Sequence, residues 1–118
     1  MIAARDPAMW LRDIVLAAEK LAQLVLRGKT SFDEEWMTSD LIVHELEIIG
    51  EAACALPADF RCLHPEIEWR RAIDMRNRLI HGYVGIDYEM VWSTAVNDIP
   101  PLRGLIVAIL TGLEESTA

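Results

Sequence analysis

Apolar residues recur at intervals of three and four along most of the chain, and glycines and prolines separate the segments that show this pattern. Such spacing places apolar side chains on one face of an α-helix. No segment between turn residues shows the sustained alternation of apolar and polar residues that is typical of a half-buried strand. The sequence therefore predicts an all-α fold, an up-down bundle of four to five helices.

Capping and breaking residues predict the bounds of the first two helices. Asp6 is followed by a proline, which is typical of an N-cap and the first helical position, and Gly28 is expected to end this helix. The second helix is expected to begin near Ser31 or Ser39. It is expected to end at Pro57, because proline is not tolerated inside a helix.

The second half of the chain predicts further helices in the same way. Residues 58–64 are expected to form a short connector with one helical turn at most, and a third helix is expected over 65–80. Asp87 is expected to cap a fourth helix. The prolines at 100 and 101 are expected to kink or interrupt that helix before the pattern resumes over 102–113.

Length, charge and composition limit the class of protein. A chain of 118 residues suits one domain spanning 1–118. Its 53% hydrophobic content excludes a disordered segment, and its net charge of −8 excludes a general nucleic-acid binder, which needs a surplus of Lys and Arg. The mean hydropathy of +0.20 is high for so small a chain, so we expect some apolar surface to close against a partner or a second copy.

The spacing of the cysteines and the length of the apolar runs predict the cellular compartment of the protein. Cys54 and Cys62 form no CxxC pair and have no further cysteine partners, which predicts neither a disulfide framework nor a zinc site. The N-terminus lacks the apolar core of a signal peptide, and the longest apolar run covers only 105–110. A helix needs about 20 apolar residues to span a bilayer. We therefore expect a soluble, cytoplasmic protein that contacts no membrane.

One residue breaks the apolar pattern of the third helix. A helical projection places five apolar residues on one stripe: Trp69, Ala72, Ile73, Leu79 and Ile80. Arg76 falls near the centre of that stripe, and such a break is expected at functional sites. Asn77 and His81 share a flank of the helix with Arg70 and Asp74, one turn apart from each other, whereas Arg78 points away towards solvent.

The same residues also have structural interpretations. Arg76 suits an ion pair with Glu47 or Glu51, of which Glu51 is the favoured partner. A histidine in the last turn of a helix, such as His81, is a common and electrostatically favourable arrangement. His44 and Glu45 begin like the metalloprotease pattern HExxH, but an isoleucine replaces its second histidine, so no zinc protease is indicated.

Residues 76–83, with the sequence RNRLIHGY, form the motif R-x4-H-x-Y. This motif resembles the signature of the HEPN ribonucleases, and more closely that of their HepT-like toxin branch. Further stretches resemble the same branch in the same order, so that the resemblance covers about residues 8–113: 49–53, 64–69, 75–77, 86–87, 91–92 and 98–100. The motif shows no departure, and the divergent part is 58–63.

The resemblance implies a helical homodimer that acts as a metal-independent endoribonuclease without a cofactor of its own. It also implies that the protein is the toxin of a toxin–antitoxin pair whose antitoxin is a minimal nucleotidyltransferase. The antitoxin would use ATP and Mg to transfer AMP onto the tyrosine of the motif, which is Tyr83 here. Without the resemblance, Tyr83 would be interpreted as a packing aromatic residue.

Carried over by position, the resemblance assigns catalytic roles to Arg76 and His81 and an auxiliary polar role to Asn77. The chemistry suits these residue types, because RNA carries its own nucleophile in the 2′-hydroxyl. Histidine exchanges protons near neutral pH, and arginine opposes the negative charge that grows on the phosphate. Arg70 and Arg78 are expected to contact RNA phosphates, since residues 70–83 carry a charge of +3 within the acidic chain.

Two other functions remain open at this point. One is a non-catalytic helical subunit that binds nucleotide or substrate for a two-component nucleotidyltransferase. It also predicts a dimer with an Arg/His cleft and differs in whether His81 takes part in chemistry. The other is a plain dimerising bundle in which Arg76 is structural. The intact motif counts against the plain bundle. We expect RNA as the substrate and no interaction with DNA.

Overall fold

The computed structural model describes residues 5–82 and 85–116 of the chain. The described residues form six helices and no strand. The first five are α1 (Pro7–Val25), α2 (Lys29–Glu34), α3 (Trp36–Ala55), α4 (Ala58–Cys62) and α5 (Trp69–Ile80). The sixth runs continuously over Tyr88–Ser116 and consists of α6 (Tyr88–Ser93), a π-helical turn (Thr94–Asp98) and α7 (Ile99–Ser116). The prediction of an all-α fold is confirmed. Four of the helices are long, and the other two, α2 and α4, are short.

The long helix α3 lies at the centre of the bundle. Helix α1 packs against one side of α3 and α5 against another, while α7 packs mainly against α1. The core consists of apolar side chains at helical spacing from all these helices, among them Leu11, Ile14, Leu21, Ile42, Leu46, Ile49, Val91 and Ile106. Helix α5 packs mainly against α3 and makes few contacts with α6 and α7.

The predicted N-caps are present. The Asp6 side chain accepts a hydrogen bond from the N–H of Ala8 at 2.9 Å. The Asp87 side chain accepts one from the N–H of Met90 at 3.1 Å. Each bond satisfies a backbone donor that has no partner inside the helix. Gly28 has a φ of 93°, which favours glycine, and lies between the end of α1 and the start of α2.

The predicted start of the second helix was wrong. Neither Ser31 nor Ser39 begins α3, which starts at Trp36 after a separate short helix. The backbone of Glu35 is extended and separates α2 from α3. The Ser31 hydroxyl bonds the Glu35 carboxylate at 3.0 Å and the Thr38 hydroxyl at 2.9 Å. These side-chain bonds hold the corner between the two helices, which apolar spacing alone did not reveal.

The predicted start of the third helix was also wrong, since α5 begins at Trp69 and not at Pro65. The carbonyl of His64 accepts the N–H of Ile67 at 3.2 Å, which closes a turn with Pro65 at its second position. The same carbonyl accepts the indole N–H of Trp69 at 3.0 Å. The turn and the buried Trp69 side chain together position the first residue of α5.

The expected interruption near the two prolines is present, but it takes the form of a π-helical turn over Thr94–Asp98. Neither Pro100 nor Pro101 has an N–H for the carbonyl four residues earlier, at Val96 and Asn97, and each proline ring crowds that carbonyl. A wider turn relieves this crowding, so the helix continues through the prolines without ending.

An apolar stretch of 18 residues in the helix Tyr88–Ser116 has a mean hydropathy of 1.3, and 22% of this stretch is buried. By length and composition this is enough to cross a membrane, a criterion that core helices of soluble proteins also meet. It is the one helix among residues 5–82 and 85–116 that meets the criterion. Ile99, Ile106, Ile109 and Leu110 of this helix are buried in the core, whereas Tyr88 and Leu105 are exposed.

Candidate active site on α5

The two helices α3 and α5 approach each other closely at Gly50. A Cβ atom at this position would lie 2.8 Å from the carbonyl oxygen of Ala72 and would collide with the Cβ of Arg76. The absence of a side chain at Gly50 therefore lets the backbone of α5 lie against α3. This contact places the base of the Arg76 side chain at the interface between the two helices.

Gly50 is a site residue for which no role was expected from the sequence. A signal was present, because glycine in the middle of a helix costs about 1 kcal/mol relative to alanine. A glycine inside a long apolar helix such as α3 therefore indicates that another backbone lies close to it.

The guanidinium of Arg76 is held from both sides. Its Nε donates to Glu51 Oε2 at 3.0 Å, and Nη2 lies 2.7 Å from the same oxygen. Its Nη1 donates to the side-chain oxygen of Asn77 at 3.0 Å. The favoured partner, Glu51, is confirmed, and Glu47 makes no such contact among the described residues.

These contacts leave part of the guanidinium available. The Arg76 side chain is 23% exposed, and each Nη carries two hydrogens, so both nitrogens retain a donor beyond the contacts with Glu51 and Asn77. A fixed guanidinium with free donors is suited to phosphate oxygens, which it contacts in a planar, forked geometry. The ion pair is thus compatible with a functional role for Arg76 as well as a structural one.

His81 stands at the C-terminal cap of α5. Its backbone N–H donates to the carbonyl of Asn77 at 3.2 Å. Its imidazole is exposed and has no hydrogen-bond or ion-pair partner within the part of the chain that the structure describes. The ring is therefore accessible to an external ligand, as a proton acceptor when neutral and as a donor when protonated.

The buried face of α5 differs from the predicted stripe. Leu79 and Trp69 are buried, but Ile80, which was expected on the same stripe, is 44% exposed. The reason is that α3 covers the side of α5 that carries Ala72 and Leu79, whereas the side of Ile80 is covered only earlier in the helix, where Ile73 packs against the core. An exposed apolar side chain therefore lies next to His81 in the chain.

Arg70 and Arg78 are both exposed, and neither pairs with a carboxylate of residues 5–82 or 85–116. The closest polar partner of Arg78 is the sulfur of Met90, 3.5 Å from Nη1. Arg71 lies between them and is engaged, with Nη2 3.0 Å from a carboxylate oxygen of Asp98. Two cations of the basic helix are thus free for an external anion.

Tyr83, the predicted site of modification, lies outside the described residues, together with Val84. The chain on either side packs closely, since a Cβ at Gly82 would lie 2.8 Å from Cγ1 of Ile86. The role of Tyr83 stays a prediction.

Residues 14–109, which include every site residue described above, match the family model described as "Ribonuclease HepT-like". The chain belongs to the HepT-like ribonuclease family. This membership confirms the resemblance found in the sequence and makes the protein an RNA-cleaving hydrolase.

Similar proteins from other organisms agree with this family. The chain is 49% identical over 98 residues to a Thermococcus cleftensis protein named "Probable ribonuclease HepT", covering 80% of this chain and 87% of that protein. It is 34% identical over 108 residues to the Caldanaerobacter subterraneus subsp. tengcongensis protein named "Putative RNase TTE0752", covering 90% and 96%. No solved structure matches this HepT-like ribonuclease significantly.

Proposed function

We propose that this HepT-like ribonuclease is the toxin of a toxin–antitoxin pair and cuts RNA internally without a metal ion. Arg76, Asn77 and His81 are the residues that contact the reacting phosphate. One observation carries the proposal: the last two turns of α5 present a guanidinium fixed by Glu51 and, five residues later, an exposed imidazole without a partner in the described chain. Five residues correspond to about 7.5 Å along the helix axis and about 140° around it, and the bond from Nη1 of Arg76 to the Asn77 side chain turns the guanidinium towards the flank that Asn77 shares with His81.

The proposed reaction uses the 2′-hydroxyl of the RNA as the nucleophile. One His81 removes its proton while the 2′-oxygen forms a bond to phosphorus, and the bond from phosphorus to the 5′-oxygen breaks. A second imidazole gives a proton to the leaving 5′-oxygen. The products are a 2′,3′-cyclic phosphate and a 5′-hydroxyl. Arg76 donates to the non-bridging oxygens, on which negative charge grows.

Asn77 supports this arrangement in two ways. Its side-chain oxygen accepts a hydrogen bond from Arg76 and so helps to fix the guanidinium. Its Nδ2 group makes no hydrogen bond within 5–82 and 85–116, so it is available to donate to the RNA. The auxiliary polar role expected for Asn77 therefore becomes a positioning role towards Arg76 together with a contact to the substrate.

The need for an acid and a base favours a homodimer in which two His81 side chains face one cleft. Exposed apolar residues support such an interface, and one of them is Ile80 at the C-terminal end of α5. Met37 and Leu41, which share the outward face of α3 with Glu51, are also exposed, and Ile48 on that face is partly buried. A second copy would cover these side chains and place the two sites next to each other.

A heterodimer tests the shared cleft. Wild-type and His81→Ala chains carrying different tags are co-expressed, and the mixed dimer is purified through both tags. We expect at least about a hundredfold loss of RNA cleavage, because one of the two proton-transfer groups is missing. A mixed dimer that kept half or more of the wild-type activity would show that each protomer works alone.

We further propose that a minimal nucleotidyltransferase silences the toxin by modifying Tyr83. The tyrosine oxygen attacks the α-phosphorus of ATP, which the partner binds with Mg, and pyrophosphate leaves. The AMP group would then lie two residues from His81. Its negative phosphate would repel RNA and its bulk would block the cleft.

Substitution of Tyr83 tests this regulation separately. Tyr83→Phe removes the acceptor oxygen, so we expect the toxin to stay active when the nucleotidyltransferase from the neighbouring reading frame is co-expressed. Mass spectrometry of the co-expressed wild-type chain should show the added AMP on Tyr83. Silencing of Tyr83→Phe by the active partner would point to a different mechanism of neutralisation.

Expression in cells tests the toxin function itself. Induction of the wild-type chain without the partner gene should arrest growth and degrade RNA, whereas induction of His81→Ala should do neither. Because RNA is the substrate, we place the protein in the cytoplasm. Equal growth of the two strains, at equal levels of soluble protein, would contradict the proposal.

A further inference from the structure

The separation of α5 from the helix Tyr88–Ser116 leaves a groove on the side of α5 opposite Ile80. Two adjoining cavities form this groove, one of about 290 Å³ and a wider one of about 700 Å³. They share lining residues, among them Arg71, Met75 and Thr94. The catalytic proposal uses none of these residues.

The smaller cavity is an apolar slot. Its lining includes Leu46, Ile49, Ala72, Met75, Leu102 and Leu105. Leu105 stands at the slot with 39% of its surface exposed. The carboxylates of Glu68 and Asp98 line the same cavity, and the Arg71 guanidinium contacts them at 3.4 and 3.0 Å. The slot is therefore apolar inside and has carboxylate oxygens beside it, of which those of Asp98 are the less exposed.

The wider cavity is lined by two arginines that lack acidic partners, together with the ion-paired Arg71 and the carboxylates of Glu68 and Asp74. Arg70 and Arg78 both line it, and neither forms an ion pair among the described residues. They are eight residues apart, which corresponds to about 12 Å along α5. Unpaired guanidiniums at this spacing suit two phosphates of one nucleic-acid strand.

The groove also lies close to the proposed active site. Arg78 precedes His81 by three residues, so the two side chains lie about 60° apart around the helix, on its exposed side. Arg71, beside the slot, is ten residues or about 15 Å from His81 along the axis. A strand with its scissile phosphate at His81 would pass Arg78 and reach the slot a few nucleotides away.

We propose that this groove is a second subsite for single-stranded RNA. The connection of this subsite to cleavage rests on the proposed function. One base enters the apolar slot, and two phosphates of the same strand bind Arg70 and Arg78. The carboxylates of Glu68 and Asp98 accept hydrogen bonds from the exocyclic amino group of adenine, cytosine or guanine. Uracil has no exocyclic amino group and offers only its N3–H as a donor, so it is disfavoured. The groove thereby sets a nucleotide preference at a distance from the cut.

Binding to an inactive variant tests the slot. In a His81→Ala background, fluorescence anisotropy measures the affinity for labelled oligo(A), oligo(C) and oligo(U) of about 12 nucleotides. We expect oligo(A) and oligo(C) to bind about tenfold more tightly than oligo(U), and Leu105→Trp, which fills the slot, to abolish this difference. Leu26→Trp is the matched control, since Leu26 is 85% exposed on another surface.

The salt dependence of binding tests the arginines. Replacing both Arg70 and Arg78 by alanine should reduce the slope of log affinity against log salt by about 1.4, because two phosphate contacts to a single strand are lost. The matched control replaces Arg12 and Arg103, two exposed arginines that are paired with acids elsewhere. The control should leave the slope unchanged.

The outcomes separate this inference from the proposed function. If the slot and arginine variants bind RNA with the same affinity and the same nucleotide preference as the His81→Ala protein, the second subsite is overturned, even if the wild type cleaves RNA. If the slot and arginine variants lose binding to the neighbouring nucleotidyltransferase while their RNA binding is unchanged, the groove is a protein-docking site and the second subsite is overturned. Groove-dependent RNA binding by a wild-type chain that does not cleave would support the subsite and contradict the proposed activity.

Discussion

The guanidinium of Arg76 on α5 lies against a single carboxylate oxygen of Glu51 on α3, with Nε at 3.0 Å and Nη2 at 2.7 Å. Arg76 is mostly buried, whereas 62% of the Glu51 side chain is exposed. An exposed partner adds little to folding stability, because solvent screens the pair. Its principal effect is to fix the direction of the guanidinium, so Glu51 is a positioning residue for Arg76.

We expect Glu51→Gln to lower kcat/KM for RNA cleavage about tenfold, since Arg76 loses its charged anchor while its own charge remains. The free energy of unfolding should change by less than about 0.5 kcal/mol. Steady-state cleavage of a labelled RNA and urea denaturation provide the two measurements. Glu47→Gln, one turn earlier on α3, is the matched control and should leave both values unchanged. A purely structural ion pair would show the reverse, with stability lowered and cleavage retained.

Gly50→Ala should push α5 away from α3, because the new Cβ would lie 2.8 Å from the Ala72 carbonyl oxygen and against Arg76. We expect a loss of about 1–3 kcal/mol in the free energy of unfolding, together with reduced RNA cleavage. Gly104→Ala is the control, since nothing lies within 4 Å of a Cβ there. That helical substitution should stabilise the protein by up to about 1 kcal/mol. Equal effects of the two substitutions would contradict a close approach at Gly50.

Ile80→Glu should convert the protein to monomers and abolish cleavage, because it places a charge in the proposed interface. Ile80 is 44% exposed in the single chain, so the substitution should change the unfolding free energy of the monomer little. Light scattering coupled to size-exclusion chromatography measures the mass. Leu26→Glu, at a more exposed position away from α5, should leave both mass and activity as in the wild type. A dimeric Ile80→Glu protein would exclude this face as the interface.

Glu45→Leu should raise the free energy of unfolding by about 1 kcal/mol. The Glu45 side chain is buried, its Oε1 lies 4.0 Å from Lys20 Nζ, and its Oε2 has no hydrogen-bond partner in the described part of the chain. A buried carboxylate with so weak a partner costs more in desolvation than the pair returns. Lys20→Met, on the exposed side of the pair, is the comparison and should change stability less. Destabilisation by Glu45→Leu would show that the pair is favourable.

Much of the local structure could be predicted, because it depends on residues close together in the chain. Asp6 and Asp87 cap their helices as expected, since a capping bond joins residues two or three positions apart. The motif of 76–81 was also evident, as its spacing is a property of one helix. The starts of α3 and α5 could not be predicted from apolar spacing, because side-chain and turn hydrogen bonds around Ser31 and His64 determine them.

The sequence by itself determined the helical class of the fold and the position of the motif on one helix, and it offered Glu47 and Glu51 as partners for Arg76, between which the structure decided. Only the tertiary structure decided which face of α5 is covered, and therefore that Ile80 is exposed. It also opened the groove beside Arg78. The physical reason is that helical periodicity is a short-range property, whereas the covering of a face depends on how closely two backbones approach. At Gly50 that approach depends on the absence of one side chain.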